Sequence, residues 1–176
     1  MKRLVVVMMA IFFGLFGLCG CSSDQTAKKN TDAVKRAVTD GHVVVESKAD
    51  GVDAAAQGQV KVLNAVKIAD FKAGMREHKK VALKLTYFNT KKDSVTSELK
   101  FNGKSVTFHN QFEGYHAKNG TYQCQNLLVV PGTQVWQVSL SDCKMKAAKS
   151  GQELFILFVP KDDQWDQAFR EASRIN

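Results

Sequence analysis

Two imidazoles and a carboxylate stand close together at His109, Glu113 and His116. Such a set can bind zinc and leave one coordination position open for water, the arrangement of a catalytic metal site. The spacing matches no zinc-enzyme motif, and it falls where a loop is expected between two alternating runs. Solvated histidines, or rings packed on Phe112 or Tyr115, are the competing reading. Other chemistry is thinly represented. His42 and His78 are isolated, and there is no G-x-S-x-G nucleophile turn, no glycine-rich phosphate loop and no cysteine–histidine pair at a recognised spacing. The residues therefore favour a protein without chemistry of its own and without a cofactor. A metal-dependent hydrolase built on His109, Glu113 and His116 is the alternative.

The four cysteines have unequal surroundings. Lys2 and Arg3 precede an apolar run from Leu4 to Leu18, the charged start and apolar stretch of an export signal. At its end, Leu18-Cys19-Gly20-Cys21 resembles the lipobox of bacterial lipoprotein precursors. The resemblance implies that the Cys21 thiol receives a diacylglyceryl group and that a peptidase cuts before it, releasing residues 1–20 as a signal peptide. Cys19 follows the bulky Leu18 where that family has a small residue, so Cys21 is the expected lipidation site. Two other readings compete. As an uncleaved helix, Leu4–Leu18 would span about 22 Å, against a hydrocarbon core of roughly 30 Å. An ordinary secretory signal would place a small residue where Leu18 stands. Two or more acyl chains hold a protein stably at a membrane surface, where one chain does not. The expected location is extracytoplasmic, lipid-anchored to the cell membrane or outer membrane.

With Cys19 lost and Cys21 acylated, Cys124 and Cys143 remain, an even pair in a compartment that permits a disulfide. Two buried free thiols are the alternative. The formal charge of +8 falls to +6 when Lys2 and Arg3 leave (8 − 2). A basic body held beside anionic lipid or wall polymer is drawn toward that surface. Nucleic acid is not an expected partner, because no run of Lys or Arg is interleaved with stacking aromatics.

These residues need elements to position them. Residues 21–30 are almost devoid of apolar side chains and read as a flexible tether. Residues 31–58 read as a lead-in of short helix (Thr31–Val38), strand (His42–Glu46) and loop (Asp50–Gly58). From Gln59 the period becomes two: Val60, Val62, Val66 and Ile68 share one parity and indicate a strand, followed by a polar connection from Ala73 to Lys80. Val81–Phe88 and Val95–Phe101 alternate clearly. Asn102-Gly103 then predicts a tight hairpin into Lys104–Phe108, since both central residues of a type I′ turn take positive φ. Thr121–Val130, Gln134–Leu140 and Leu154–Val159 complete the strands, the last so apolar that it reads as a central strand. Pro131-Gly132 reads as a turn with glycine at positive φ. Trp165, Ala168, Phe169 and Ala172 recur at three-and-four spacing, the apolar face of a C-terminal helix within 161–176.

About seven short strands without an internal repeat predict one all-β domain over 59–160, an antiparallel β-sandwich. Leu85-Thr86-Tyr87-Phe88-Asn89-Thr90, the Asn-Gly hairpin and Val129-Val130-Pro131-Gly132-Thr133 resemble segments of the immunoglobulin-like domains of bacterial lipoproteins. That resemblance adds to the fold expectation and implies no activity. Function is therefore expected to be binding, of a protein or an envelope polymer, by a surface-tethered module. The loop rich in aromatics and histidine, through Phe108, His109, Phe112, Tyr115, His116 and Tyr122, is the expected contact surface.

Overall fold

Val43, Val44 and Val45 are consecutive β-branched residues, and all of them are buried. A strand hidden on both faces lies between two layers. Val43 and Val45 face the main core, whereas Val44 packs with Phe88 and with Val34, Ala37 and Val38 at the end of a helix. The computed structural model describes residues 23–48, 59–91, 93–112, 118–145 and 151–174. The signal stretch, Cys21, the whole Asp50–Gly58 loop and residues 113–117 lie outside the described residues. The chain divides into two compact units, residues 1–33 and 34–176, and every strand belongs to the second.

In chain order the elements are α1 (Ser23–Thr39), β1 (Val43–Ser47), β2 (Val60–Leu63), α2 (Val66–Arg76), β3 (Val81–Phe88), β4 (Ser94–Phe101), β5 (Val106–Asn110), β6 (Gly120–Cys124), β7 (Asn126–Pro131), β8 (Val135–Met145), β9 (Gln152–Pro160) and α3 (Asp166–Ser173). The strands form a curled, mixed sheet in the order β2-β1-β3-β4-β5-β6-β8-β7, with β9 also pairing β8. The β1–β3 pair is parallel, Val43 lying opposite Leu85. The other pairings are antiparallel. The chain is thus mostly strand, as its alternation predicts, but with nine described strands in place of about seven and one parallel pair.

Several local expectations are corrected. Helix α1 begins at Ser23, so residues 23–30, expected as a tether, are helical. That stretch has no Gly or Pro to break a helix and carries good helix formers such as Gln25, Ala27 and Lys28. Val66 and Ile68 are not in a strand. Asn64, at φ 58, turns the chain out of β2, and Ile68, Phe71, Lys72 and Met75 then recur at helical spacing and are buried. In the helix these two residues point to opposite sides, Val66 exposed and Ile68 buried, so their shared parity reflects no common face. The polar connection at Ala73–Lys80 is the last turn of α2 and its cap. His78 N–H bonds Met75 O and Lys79 N–H bonds Gly74 O, with His78 at φ 53, the left-handed position that usually falls to glycine.

The Asn102-Gly103 hairpin is present, though not as a two-residue turn. Phe101 pairs with Val106, and the Asn102 side-chain oxygen accepts from the backbone N–H of both Lys104 and Ser105. Only Gly103 of the Asn-Gly pair has positive φ, at 99°. The Pro131-Gly132 turn likewise closes without positive φ at Gly132, whose N–H bonds Val135 O at 2.8 Å. Thr121–Val130 is interrupted at Gln125 into β6 and β7, yet both halves keep one register along β8: Tyr122 faces Met145 and Asn126 faces Ser141.

Strand β9 is apolar for a reason other than a central place, since it pairs β8 alone. Ile156 is an extra residue between the Val138–Leu157 and Ser139–Phe155 pairs, a bulge, and its carbonyl accepts the buried Tyr87 hydroxyl at 3.3 Å. That bond ties β3 to β9 through the core. Helix α2 packs on β3, and α3 packs on α2 and β7. The expected apolar face of α3 is the one buried: Phe169 and Ala172 lie in the core, with Trp165 and Ala168 against it. The Trp136 indole N–H donates to Asp166 at 2.9 Å and pins the start of that helix.

Candidate functional site

The residues expected to form a contact loop separate into different environments. Phe108 and Tyr122 are core residues, 3% and 1% exposed, because they fall on the inward parity of β5 and β6. They offer no surface for a partner, which corrects that part of the expectation. Phe112 is half-buried and stacks on Tyr87, ring centroids 4.2 Å apart and 8° from parallel. Tyr115, Glu113 and His116 lie outside the described residues. His109 is exposed on β5, and its ring nitrogens meet the Thr121 hydroxyl at 3.0 Å and the Gln111 amide at 3.3 Å. Among the described residues no group of three His, Cys, Asp or Glu side chains is placed to hold a metal ion.

What the strands do with this region is close its base. Asn110, 3% exposed, donates to Phe112 O at 2.8 Å and Lys118 O at 3.1 Å. Its side-chain oxygen accepts from the Ser97 hydroxyl and the Phe112 N–H. Tyr122 adds a bond from its hydroxyl to Lys118 O at 2.9 Å. A buried amide with its donors and acceptor engaged holds the two ends of the loop together.

Cys124 and Cys143 stand on neighbouring strands, one step beyond the Gln123–Lys144 pair, with sulfurs 2.09 Å apart, at disulfide distance. The expected pair is therefore present, and it cross-links β6 to β8 where Gln125 interrupts the strand.

Beside that interruption lies a cleft of about 480 Å³. Its basic lining is Lys72 and Arg76 from α2, His78 from the cap and Lys104 from the β4–β5 turn. Met75 and Phe101 supply apolar wall, and Gln125 and Asn126 supply amides. Lys72 is 6% exposed, and its ammonium donates to Leu127 O at 2.5 Å. Burial pushes its pKa below the ordinary lysine value, because the charged form loses water. Among the described residues no carboxylate pairs with Lys72, Arg76 or Lys104; the adjacent Glu77 is engaged by Lys79 at 2.5 Å. The αL backbone at His78 directs the chain so that its Nδ1 lies 3.4 Å from Gly103 O, joining the cap to the hairpin turn.

Sequence reading passed over this cleft because Ala73–Lys80 looked like a solvated connection. One signal was present. Ile68, Lys72 and Met75 stand at four-and-three spacing, which puts a lysine inside an apolar helical stripe.

No protein-family model, no curated protein and no solved structure matches this chain. Among the described residues no helix is long and apolar enough to cross a membrane. The fold and cleft define a β-rich domain with a partly buried cationic recess.

Proposed function

We propose that this is a lipid-anchored extracytoplasmic protein that binds a partner protein or an envelope component and carries out no chemistry of its own. The observation that carries the binding role is the cleft. Its described lining consists of basic side chains, amides and apolar groups, namely Lys72, Arg76, His78, Lys104, Gln125, Asn126, Met75 and Phe101. Such a lining holds an anion by charge-assisted hydrogen bonds. The cleft replaces the Phe108–Tyr122 loop as the proposed contact surface, since Phe108 and Tyr122, the first and last of those aromatics in sequence, are in the core. The strand body is proposed to act as immunoglobulin-like sandwiches do, as a rigid carrier for recognition; the antiparallel run β3-β4-β5-β6 supports this.

The anchor is supported by Lys2, Arg3, the Leu4–Leu18 run and the lipobox-like Leu18–Cys21. Its test is Cys21→Ser with membrane fractionation and intact mass. The wild type is expected in the membrane fraction with the mass of an acylated chain starting at Cys21, and the variant in the soluble fraction or uncleaved. Equal attachment of both, with the leader cut at the same place, would sink the proposal.

A further inference from the structure

We propose that the cleft between the end of α2, the β4–β5 turn and the β6–β7 junction is a binding site for a phosphate-bearing small molecule, held by Lys72, Arg76 and Lys104. The site makes the proposed binding module a receptor for phosphate esters, and to that extent it rests on the function proposed above.

Charge is the first ground. Three cationic side chains converge without a carboxylate partner among the described residues. Among the described residues the opposing charges near the cleft are the carboxyl end of α2, about half an elementary charge, whose Ala73, Gly74 and Met75 carbonyls are already bonded by the cap, and the Glu77 carboxylate, which acts on Arg76 through space while Lys79 engages it directly. The three cations of the lining outweigh them.

Burial is the second ground. A lysine ammonium has three donors, and Lys72, 94% buried (100 − 6), is given one acceptor among the described residues, Leu127 O. An anion in the cleft would supply further acceptors and the missing counter-charge together.

Shape decides the ligand class. A volume of about 480 Å³ falls in the range of small-molecule sites. One carboxylate offers a single charge and two oxygens. A phosphate monoester carries close to two charges and three terminal oxygens, enough to engage a guanidinium fork and two ammonium groups. The amides of Gln125 and Asn126 add donors, and Met75 and Phe101 give the esterified carbon portion an apolar wall. An extended polyanion would call for a row of cations along the surface, whereas these converge on a recess.

Glycerol 3-phosphate and the short-chain lipid dihexanoyl phosphatidic acid present the same phosphate group from the two sources open to a membrane-tethered protein. Each is titrated into full-length, detergent-extracted protein by calorimetry, with phosphorus NMR line broadening as a second readout. The expected result is saturable binding with one site per chain, for either probe or both; a preference identifies a free ester or a headgroup as the source. Arg76→Gln and Lys104→Gln alter surface side chains and should each weaken binding about 10-fold, and Lys72→Met by about 10- to 100-fold. Lys84→Gln, an exposed charge outside the cleft, should leave it unchanged. Absence of saturable binding to the wild type, or equal weakening by Lys84→Gln, overturns the site. The Cys21→Ser attachment assay is independent of either result, so failure of this site and failure of the anchor are told apart.

Discussion

The ammonium of Lys72 donates to the carbonyl oxygen of Leu127, joining helix α2 to strand β7 across 55 residues of sequence. A charge buried against one neutral acceptor is held at a cost, because the carbonyl replaces only part of its lost hydration.

That cost predicts a stability change in alkali. Burial lowers the Lys72 pKa in the folded protein, so between that lowered value and the ordinary lysine value the unfolded chain binds more protons than the folded one. Stability therefore rises with pH through that window, and the penalty is fully present below it. Denaturant titrations from pH 8 upward should show this rise in the wild type and a flatter profile in Lys72→Met. Equal slopes would refute the assignment.

Gly74 sits where α2 meets β3. A β-carbon there would lie 2.5 Å from Val81 Cγ1 and 3.1 Å from Cγ2, and valine is a stiff neighbour. Helix propensity favours alanine by about 1 kcal/mol, but overpacking of a tight contact typically costs about 1–3 kcal/mol. Gly74→Ala should therefore be destabilising by about 1 kcal/mol, read as a lower denaturation midpoint. The double variant Gly74→Ala/Val81→Ala should recover the clash component.

Phe112 is a structural residue before it is a contact residue. Its stack on the buried Tyr87 predicts that Phe112→Ala loses about 2 kcal/mol from reduced burial and the lost ring pair. Phe112→Tyr should retain most of that stability. A thermal melt that does not move in Phe112→Ala would show that the stack contributes nothing.

Cys124 and Cys143 are 19 residues apart in sequence. On the chain-entropy account, closing a loop of that size stabilises by about 3 kcal/mol. Replacing both with alanine should lower stability by that amount, and a reductant should destabilise the wild type while leaving the double variant unaffected.

Strands were legible in the sequence where one face is wet and the other dry. Leu83, Leu85 and Tyr87 are buried in β3 and alternate with exposed Ala82 and Lys84, so the period shows in the residues themselves. The apolar face of α3 was legible for the same reason. Helix α2 was not, because Ile68, Ala69, Phe71, Lys72, Gly74 and Met75 are buried around much of its circumference, and a helix without a broad polar face has little periodic signature. The parallel β1–β3 pair was not legible either, since nothing in the Val43–Val45 run states which strand lies beside it.

The sequence by itself determined the alternating runs, the terminal helix and the even pair of cysteines, and it raised the expectation of a lipid anchor. Each of these is written in neighbours a few residues apart, where side-chain periodicity and chain chemistry act directly. Strand order and the cleft were decided only by the tertiary structure. Lys72, Lys104 and Gln125 are separated by dozens of residues and become neighbours because α2, the β4–β5 turn and the β6–β7 junction are packed together by the shared core. That packing is a sum of long-range contacts to which no local spacing corresponds, so a lysine that looks solvated in the chain ends up buried and lining a recess.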